Sequence, residues 1–239
     1  MKKLLNILKD VATYLLGLLI IALGINVSKL SGLGISPVSS IPRALEVIWG
    51  FTLGTMVIVV YCVLVVAQVI VLRKDFKLKN VLGVPVALIF GAMVDFVGID
   101  PNAFGHLLYG FPVPANYFMQ IVYLVASIII IGIGVYIYLK PKLVPMPAEG
   151  LALAFATVRN KPFGDCKTAV DVCLIAVALL LQLIFLGGFS SFTGATVVVR
   201  EGTVLSAVCV GQVVKLLNKL FTKKPEQKQV EPAPIKQAE

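Results

Sequence analysis

Long apolar runs alternate with short polar ones along this chain, and the apolar runs set its architecture. Six of them, at about residues 11–30, 54–72, 80–98, 118–139, 168–187 and 201–218, are long enough to cross a membrane. A hydrocarbon core of about 30 Å takes roughly 20 residues at helical rise. Two shorter stretches, 36–48 and 146–158, have helical patterning but cannot span. Each has a proline near its start, Pro37 and Pro147. A helix tolerates proline in its first turn, where the missing N–H would have no partner.

Composition agrees with lipid as the main solvent. The chain is 59% hydrophobic and only 14% charged, with a mean hydropathy of +0.97. A soluble domain carries about 25% charged residues. The net charge of +9 is concentrated at the ends of apolar runs, at Lys2, Lys3 and Lys9, at Arg73 to Lys79, at Lys140 and Lys142, and from Lys215 onward. That placement fits cytoplasmic flanks touching anionic lipid. No basic-aromatic surface motif accompanies it, so nucleic acid is not an expected partner. With the N-terminus inside, the outward segments hold Lys29, Arg43 and Arg200, and the other 18 of 21 basic residues fall at or near the inner face, with Lys167 ambiguous. Both termini are therefore expected in the cytoplasm. The first apolar run spans a bilayer and has no A-x-A ending, so no cleavable signal peptide is expected.

Shifting the chain by 110 residues aligns its halves without gaps over their first two spans: Gly24 falls on Gly134, Pro37 on Pro147, Gly54 on Gly164. Glycine and proline matches fix backbone geometry as well as hydropathy. The sequence therefore predicts an all-α membrane protein of six transmembrane helices, built as two inverted three-helix repeats, each with a short re-entrant or interfacial helix. The repeats occupy 11–110 and 111–220, between a cytoplasmic N-terminus (1–10) and a disordered cytoplasmic tail (221–239). Three crossings per half is odd, so the second half enters from the opposite face. Paired short segments at matching places point to a transporter site, and irregular backbone at membrane depth is tolerated only inside protein or beside water.

The candidate site residues follow from that geometry. A half-helix start offers unpaired N–H groups and a positive dipole end, and Ser36, Ser39, Ser40 and Arg43 near the first can hold an anion. Alternatively the serines bond their own helix and Arg43 pairs with Glu46. Glu149 opens the second short helix, either complementing its dipole or holding a proton or cation. Asp171 lies within the fifth span, where an acid usually faces a partner or a cavity. Its simplest alternative is a salt bridge to Lys167, one turn earlier. Arg200, Glu201 and Thr203 open the sixth span as a polar cluster, and Asn26 is an intramembrane amide suited to interhelical bonding.

No catalytic or metal constellation is present: HExxH and GxSxG are absent, and Gly32-Leu-Gly34-Ile-Ser36 lacks the third glycine of a dinucleotide loop. The four cysteines form no CxxC pair, and His106 stands alone. Neither an enzyme nor a cofactor is expected.

Gly32-Leu-Gly-Ile-Ser-Pro37, Lys167-Thr-Ala-Val-Asp171 and Arg200-Glu-Gly-Thr-Val204 together resemble the YitT/YczE family of bacterial integral membrane proteins, over about residues 10–220. The resemblance implies a bacterial cytoplasmic membrane location and a transport role, without a substrate. Asp171 and the Arg200–Thr203 cluster match family-like positions, while Pro147 with Glu149 departs from the Gly-rich form of the second half. The leading expectation is a small secondary transporter or permease for a small polar or anionic solute, bound between the repeats. The alternatives are a substrate-capturing subunit driven by an ATPase and a membrane scaffold without substrate; self-association is left open.

Overall fold

Nine helices make up the regular structure of the residues described in the computed structural model, namely 2–73, 78–103, 105, 107–186 and 198–221, and no strand occurs among them. In chain order they are α1 (Lys2–Ser31), α2 (Pro37–Trp49), α3 (Leu53–Leu72), α4 (Leu78–Val81), α5 (Gly83–Phe96), α6 (Tyr117–Leu139), α7 (Pro147–Arg159), α8 (Phe163–Phe185) and α9 (Glu201–Phe221). Five of them, α1, α3, α6, α8 and α9, are long and apolar enough to cross a bilayer, so the chain is a multi-pass membrane protein. The tail expected after residue 221 and the loop histidine His106 lie outside the described residues.

The crossing expected at 80–98 takes a different form. The helix there is α5, only 14 residues, with the single turn of α4 set off from it at Leu82. Pro85 accounts for the break. It has no N–H for the carbonyl of Val81 four residues earlier, and its ring collides with that carbonyl.

The two short helices begin and end 110 residues apart, Pro37–Trp49 against Pro147–Arg159. Their first flanking residues share one backbone conformation, φ −57°, ψ 150° at Ser36 and φ −58°, ψ 151° at Met146. The left-handed turns before and after them also recur, at Gly32 (φ 69°) and Lys142 (φ 52°), then at Gly50 (φ 73°) and Asn160 (φ 49°). Packing is reciprocal too. α2 lies on α8 as α7 lies on α3, and α1 meets α5 as α6 meets α9. One pairing has no counterpart: α5 packs along α3, but α9 makes no comparable contact with α8 among the described residues.

At the centre, α1 and α6 run antiparallel in close contact. A Cβ at Gly24 would come 2.5 Å from Ile131, and one at Gly134 would come 2.7 Å from Ile21. These are the same contact made from each side, since 24 and 134, like 21 and 131, are 110 apart. Without a hydrophobic drive between helices in lipid, close backbone approach at small residues is what holds such a pair together.

The short helix α2 buries polar side chains alongside the apolar Pro37, Pro42 and Ala44. Ser39, Ser40 and Glu46 are buried, while Val38, Ile41 and Leu45 are half-buried and Trp49 is exposed.

Candidate functional site

The fold has two ends. Arg73, Lys140 and Lys142 mark a basic end; the loops after α1 and α5 mark the opposite one. Each end carries a cavity beside the irregular stretch that leads into a short helix.

At the end opposite the basic one, a cavity of about 190 Å3 is lined by Lys29, Gly32, Gly34, Ile35, Arg43 and Ile99, among others. Glu46, buried on α2, bridges two cations there. Lys29 Nζ of α1 donates to one of its carboxylate oxygens, and Arg43 Nη1 donates to the other at 2.7 Å. Lys29 and Glu46 are both more than nine-tenths buried, so solvent screens this pair weakly. The loop that lines the cavity is also tied to the start of α9. Gly202 N donates to Leu33 O at 2.9 Å and Arg200 Nη1 to Gly32 O at 3.3 Å.

At the basic end, a cavity of about 510 Å3 lies between α3, the α4–α5 break, the 142–145 loop and one face of α7. Its lining includes Gln68, Asn80, Leu82, Lys142, Gly150 and Thr157. Four lining positions of the small cavity (Gly32, Gly34, Ile35, Arg43) recur 110 residues later as lining positions of the large one (Lys142, Val144, Pro145, Leu153). The cavities therefore occupy equivalent places in the two halves, at opposite ends.

The residues expected to form one site are divided among several places. Ser36 precedes α2 but does not cap its backbone; its hydroxyl meets Ser39 Oγ at 3.3 Å. Ser40 donates to Pro37 O at 2.6 Å. The local alternative thus describes these hydroxyls, and the Arg43–Glu46 pair as well. Thr203 is buried at the start of α9, its Oγ1 accepting from Arg200 N at 3.4 Å. Arg200 holds Glu201 in a two-pronged contact, Nε to Oε2 at 3.0 Å and Nη2 to Oε1 at 2.7 Å. Asn26 is fully buried; its Nδ2 donates to Ala22 O and across to Val94 O of α5, both at 3.0 Å. Its Oδ1 has no hydrogen-bond partner among the described residues.

Glu149 and Asp171 do share a neighbourhood. Asp171 accepts from Lys167 Nζ at 2.5 Å, one helical turn away. Glu149, in the first turn of α7, lies within electrostatic range of both, and Tyr61 within range of Glu149 and Asp171. Tyr61 occupies the position equivalent to Asp171, and Ser39 the position equivalent to Glu149. The acidic and basic side chains of this neighbourhood, Glu149, Lys167 and Asp171, thus all come from the second half, while the first half contributes the Tyr61 phenol. Among the described residues no group of three or more His, Cys, Asp or Glu side chains is placed to hold a metal ion.

Two features escaped the sequence reading. The Lys29–Glu46 pair joins residues 17 apart on different helices, with no spacing rule to reveal it. The large cavity depends on the Pro85 break, a signal present in the sequence but masked by apolar residues on both sides.

A family model described as "Family of unknown function (DUF6198)" matches residues 8–219. An uncharacterized protein, YyaS, of Bacillus subtilis (strain 168) is 29% identical over 189 residues, 77% of this chain and 85% of that protein. An uncharacterized protein of Haemophilus influenzae (strain Rd) is 24% identical over 217 residues, 91% of this chain and 87% of its own length. No solved structure matches the chain. The matches are thus to uncharacterised bacterial proteins, and the family model carries the DUF6198 description and not the YitT/YczE name.

Proposed function

The chain belongs to the DUF6198 family, a family of unknown function, and we propose that it is a secondary transporter or permease of the bacterial cytoplasmic membrane. It carries a small polar solute, anions foremost, with both termini in the cytoplasm and the basic end facing inward. The two halves act as inverted repeats, with α5 completing the sixth crossing of the set. One observation carries this reading: equivalent residues of the two halves line a large cavity at one end and a small one at the other. A carrier needs access to one central site from both sides in turn, and repeats that exchange conformations supply it. The buried Ser39, Ser40 and Glu46 of α2 add support, because they bring polar side chains into the interior of the protein.

The polar groups assigned to the path are Asn26, Ser36, Ser39, Ser40, Arg43, Glu149, Asp171, Arg200, Glu201 and Thr203. Glu149 and Asp171 are the first of these to test, because they share a neighbourhood at the α7 start.

The test is solute uptake into liposomes by the purified protein, paired with a thermal-shift screen against small metabolites and ions. One solute class should both stabilise the protein and enter the vesicles, and Asp171→Asn should lose both responses. Stabilisation scales with ligand concentration over Kd, reaching about 2.7 kcal/mol at a hundredfold excess. Absence of any stabilising solute, with no uptake, would overturn the reading in favour of a scaffold. Uptake by the protein alone would exclude an obligate ATPase partner.

A further inference from the structure

We infer that a second copy of the chain docks against the outward face of α9, with the Gln212 carboxamides of the two copies hydrogen-bonded to each other beside Gly211. Within one chain, α9 packs against α6 and, less extensively, α2. Gly202, Thr203 and Ser206 are buried on that inner side. On the opposite side Val204, Val208, Gly211 and Lys215 recur at intervals of four, three and four residues, all of them exposed. That spacing is the seam of two helices crossing at a shallow angle. No α9 residue lines either cavity, so the inference stands whether or not the chain carries a solute.

Two residues on this face are poorly suited to lipid. Gln212 is exposed, and its amide makes no hydrogen bond among the described residues. Contacts with α6 fix its depth. A Cβ at Gly202 would lie 3.0 Å from Leu124, and one at Gly132 would lie 2.4 Å from Val213, so the two helices run parallel. Gln212 is therefore nearly level with Gly132, seven residues or about 10 Å inside the basic-end terminus of α6 at Leu139. Hydrocarbon at that depth offers an amide neither donor nor acceptor. Gly211 is the second such residue. A Cβ there would meet no atom within 4 Å, whereas the glycines of α1 and α6 all stand against a neighbouring helix. Glycine weakens a helix interior relative to alanine, and close approach of a second backbone is what offsets that cost. The chemistry of Gln212 selects the occupant. A carboxamide both donates and accepts, so it is complementary to itself. A copy related by a twofold axis along the membrane normal presents the same amide at the same depth. Each Nε2 then donates to the Oε1 of the other copy. Lys215 and Lys219 lie beyond, toward the basic end, where their ammonium groups reach the headgroups and repel their copies. The contact accordingly runs from Val204 to Gln212.

The experiment counts subunits of the fluorescently labelled full-length protein in phosphatidylcholine vesicles by single-molecule photobleaching, over a series of protein-to-lipid ratios. Wild type should pass from two bleaching steps to one as lipid dilutes it. Gln212→Leu should move that midpoint about tenfold toward higher protein density, the loss of the interhelical amide contact. Gln212→Asn keeps a carboxamide and should stay closer to wild type than the leucine variant does. Gly211→Ile should separate the copies by bulk alone. Both positions are exposed in the single chain, so helix content by circular dichroism should hold in every variant. Val172→Ile, on the exposed side of α8, should leave the midpoint unchanged. A single step at every ratio would overturn the inference and leave lipid as the occupant of this face. Two steps insensitive to both Gln212→Leu and Gly211→Ile would overturn it as well, placing the contact elsewhere. Because subunits are counted without solute or gradient, a failure here is distinct from a failure of uptake.

Discussion

The two short helices are built to the same backbone plan and given opposite chemistry. Around α2, Lys29, Arg43 and Glu46 form a buried ionic knot. The equivalent positions around α7 are Leu139, Leu153 and Ala156, which can form no ion pair. The cavity beside the knot is the smaller, and the cavity beside the leucines is the larger. Backbone geometry is thus common to both short helices, while the side chains beside the two cavities differ. An ionic clasp also holds one arrangement more specifically than apolar contact does, since its partners accept little displacement.

The largest expected effect comes from breaking the clasp. Glu46→Gln leaves Lys29 buried without its carboxylate, which costs about 3–5 kcal/mol for a buried pair. Unfolding of the purified protein should register that loss, and cysteine labelling near Ile99 should show the small cavity more accessible. An unchanged midpoint would mean the knot does not hold that end. Next come the helix contacts at the centre. Gly24→Ala and Gly134→Ala each force a methyl against an isoleucine of the opposite helix, at about 1–3 kcal/mol from overpacking. If the halves are true counterparts, the two costs should agree when measured side by side; a large disparity would break the equivalence.

A smaller effect is expected at Lys167–Asp171, where both side chains remain partly exposed. Asp171→Asn should alter stability by less than about 1 kcal/mol. Loss of solute response with the fold intact would then separate a transport role from a structural one. The smallest concerns the left-handed turns. Asn160→Gly places the residue of its counterpart Gly50, and should raise stability by about 0.5 kcal/mol or less, because Asn already tolerates that conformation. A measurable drop in Tm would show that the Asn160 side chain has a task its counterpart lacks.

Much of this was legible in the sequence because it depends on local rules. Apolar run length located five long helices to within a few residues, apart from the basic extension of α1 and the polar first turn of α8. Pro37 and Pro147 marked the first residue of each short helix. Gly24 and Gly134, matched as a sign of duplication, each sit against an isoleucine of the opposite helix, Ile131 and Ile21. What stayed hidden depends on tertiary proximity. Ser36, Ser39 and Ser40 read as ligands from composition, but whether a hydroxyl faces a solute or its own backbone is decided by rotamer and neighbours. Arg43 has its carboxylate within the same helix, which spacing allowed, while Lys29 reaches it from another. Leu82 and Gly83 read as the interior of a crossing because hydropathy is blind to the one missing N–H at Pro85.

That break also changes how thick the membrane is to anything near it. At 1.5 Å per residue α5 covers about 21 Å, some 9 Å less than a typical hydrocarbon core. Leu82 and Gly83, at its shortened end, line the large cavity. The cavity therefore lies where this helix falls short of a typical hydrocarbon core. On the transport path proposed above, the membrane voltage would fall across a thinner insulating layer at this point, and a charged solute would meet a steeper field over a shorter distance.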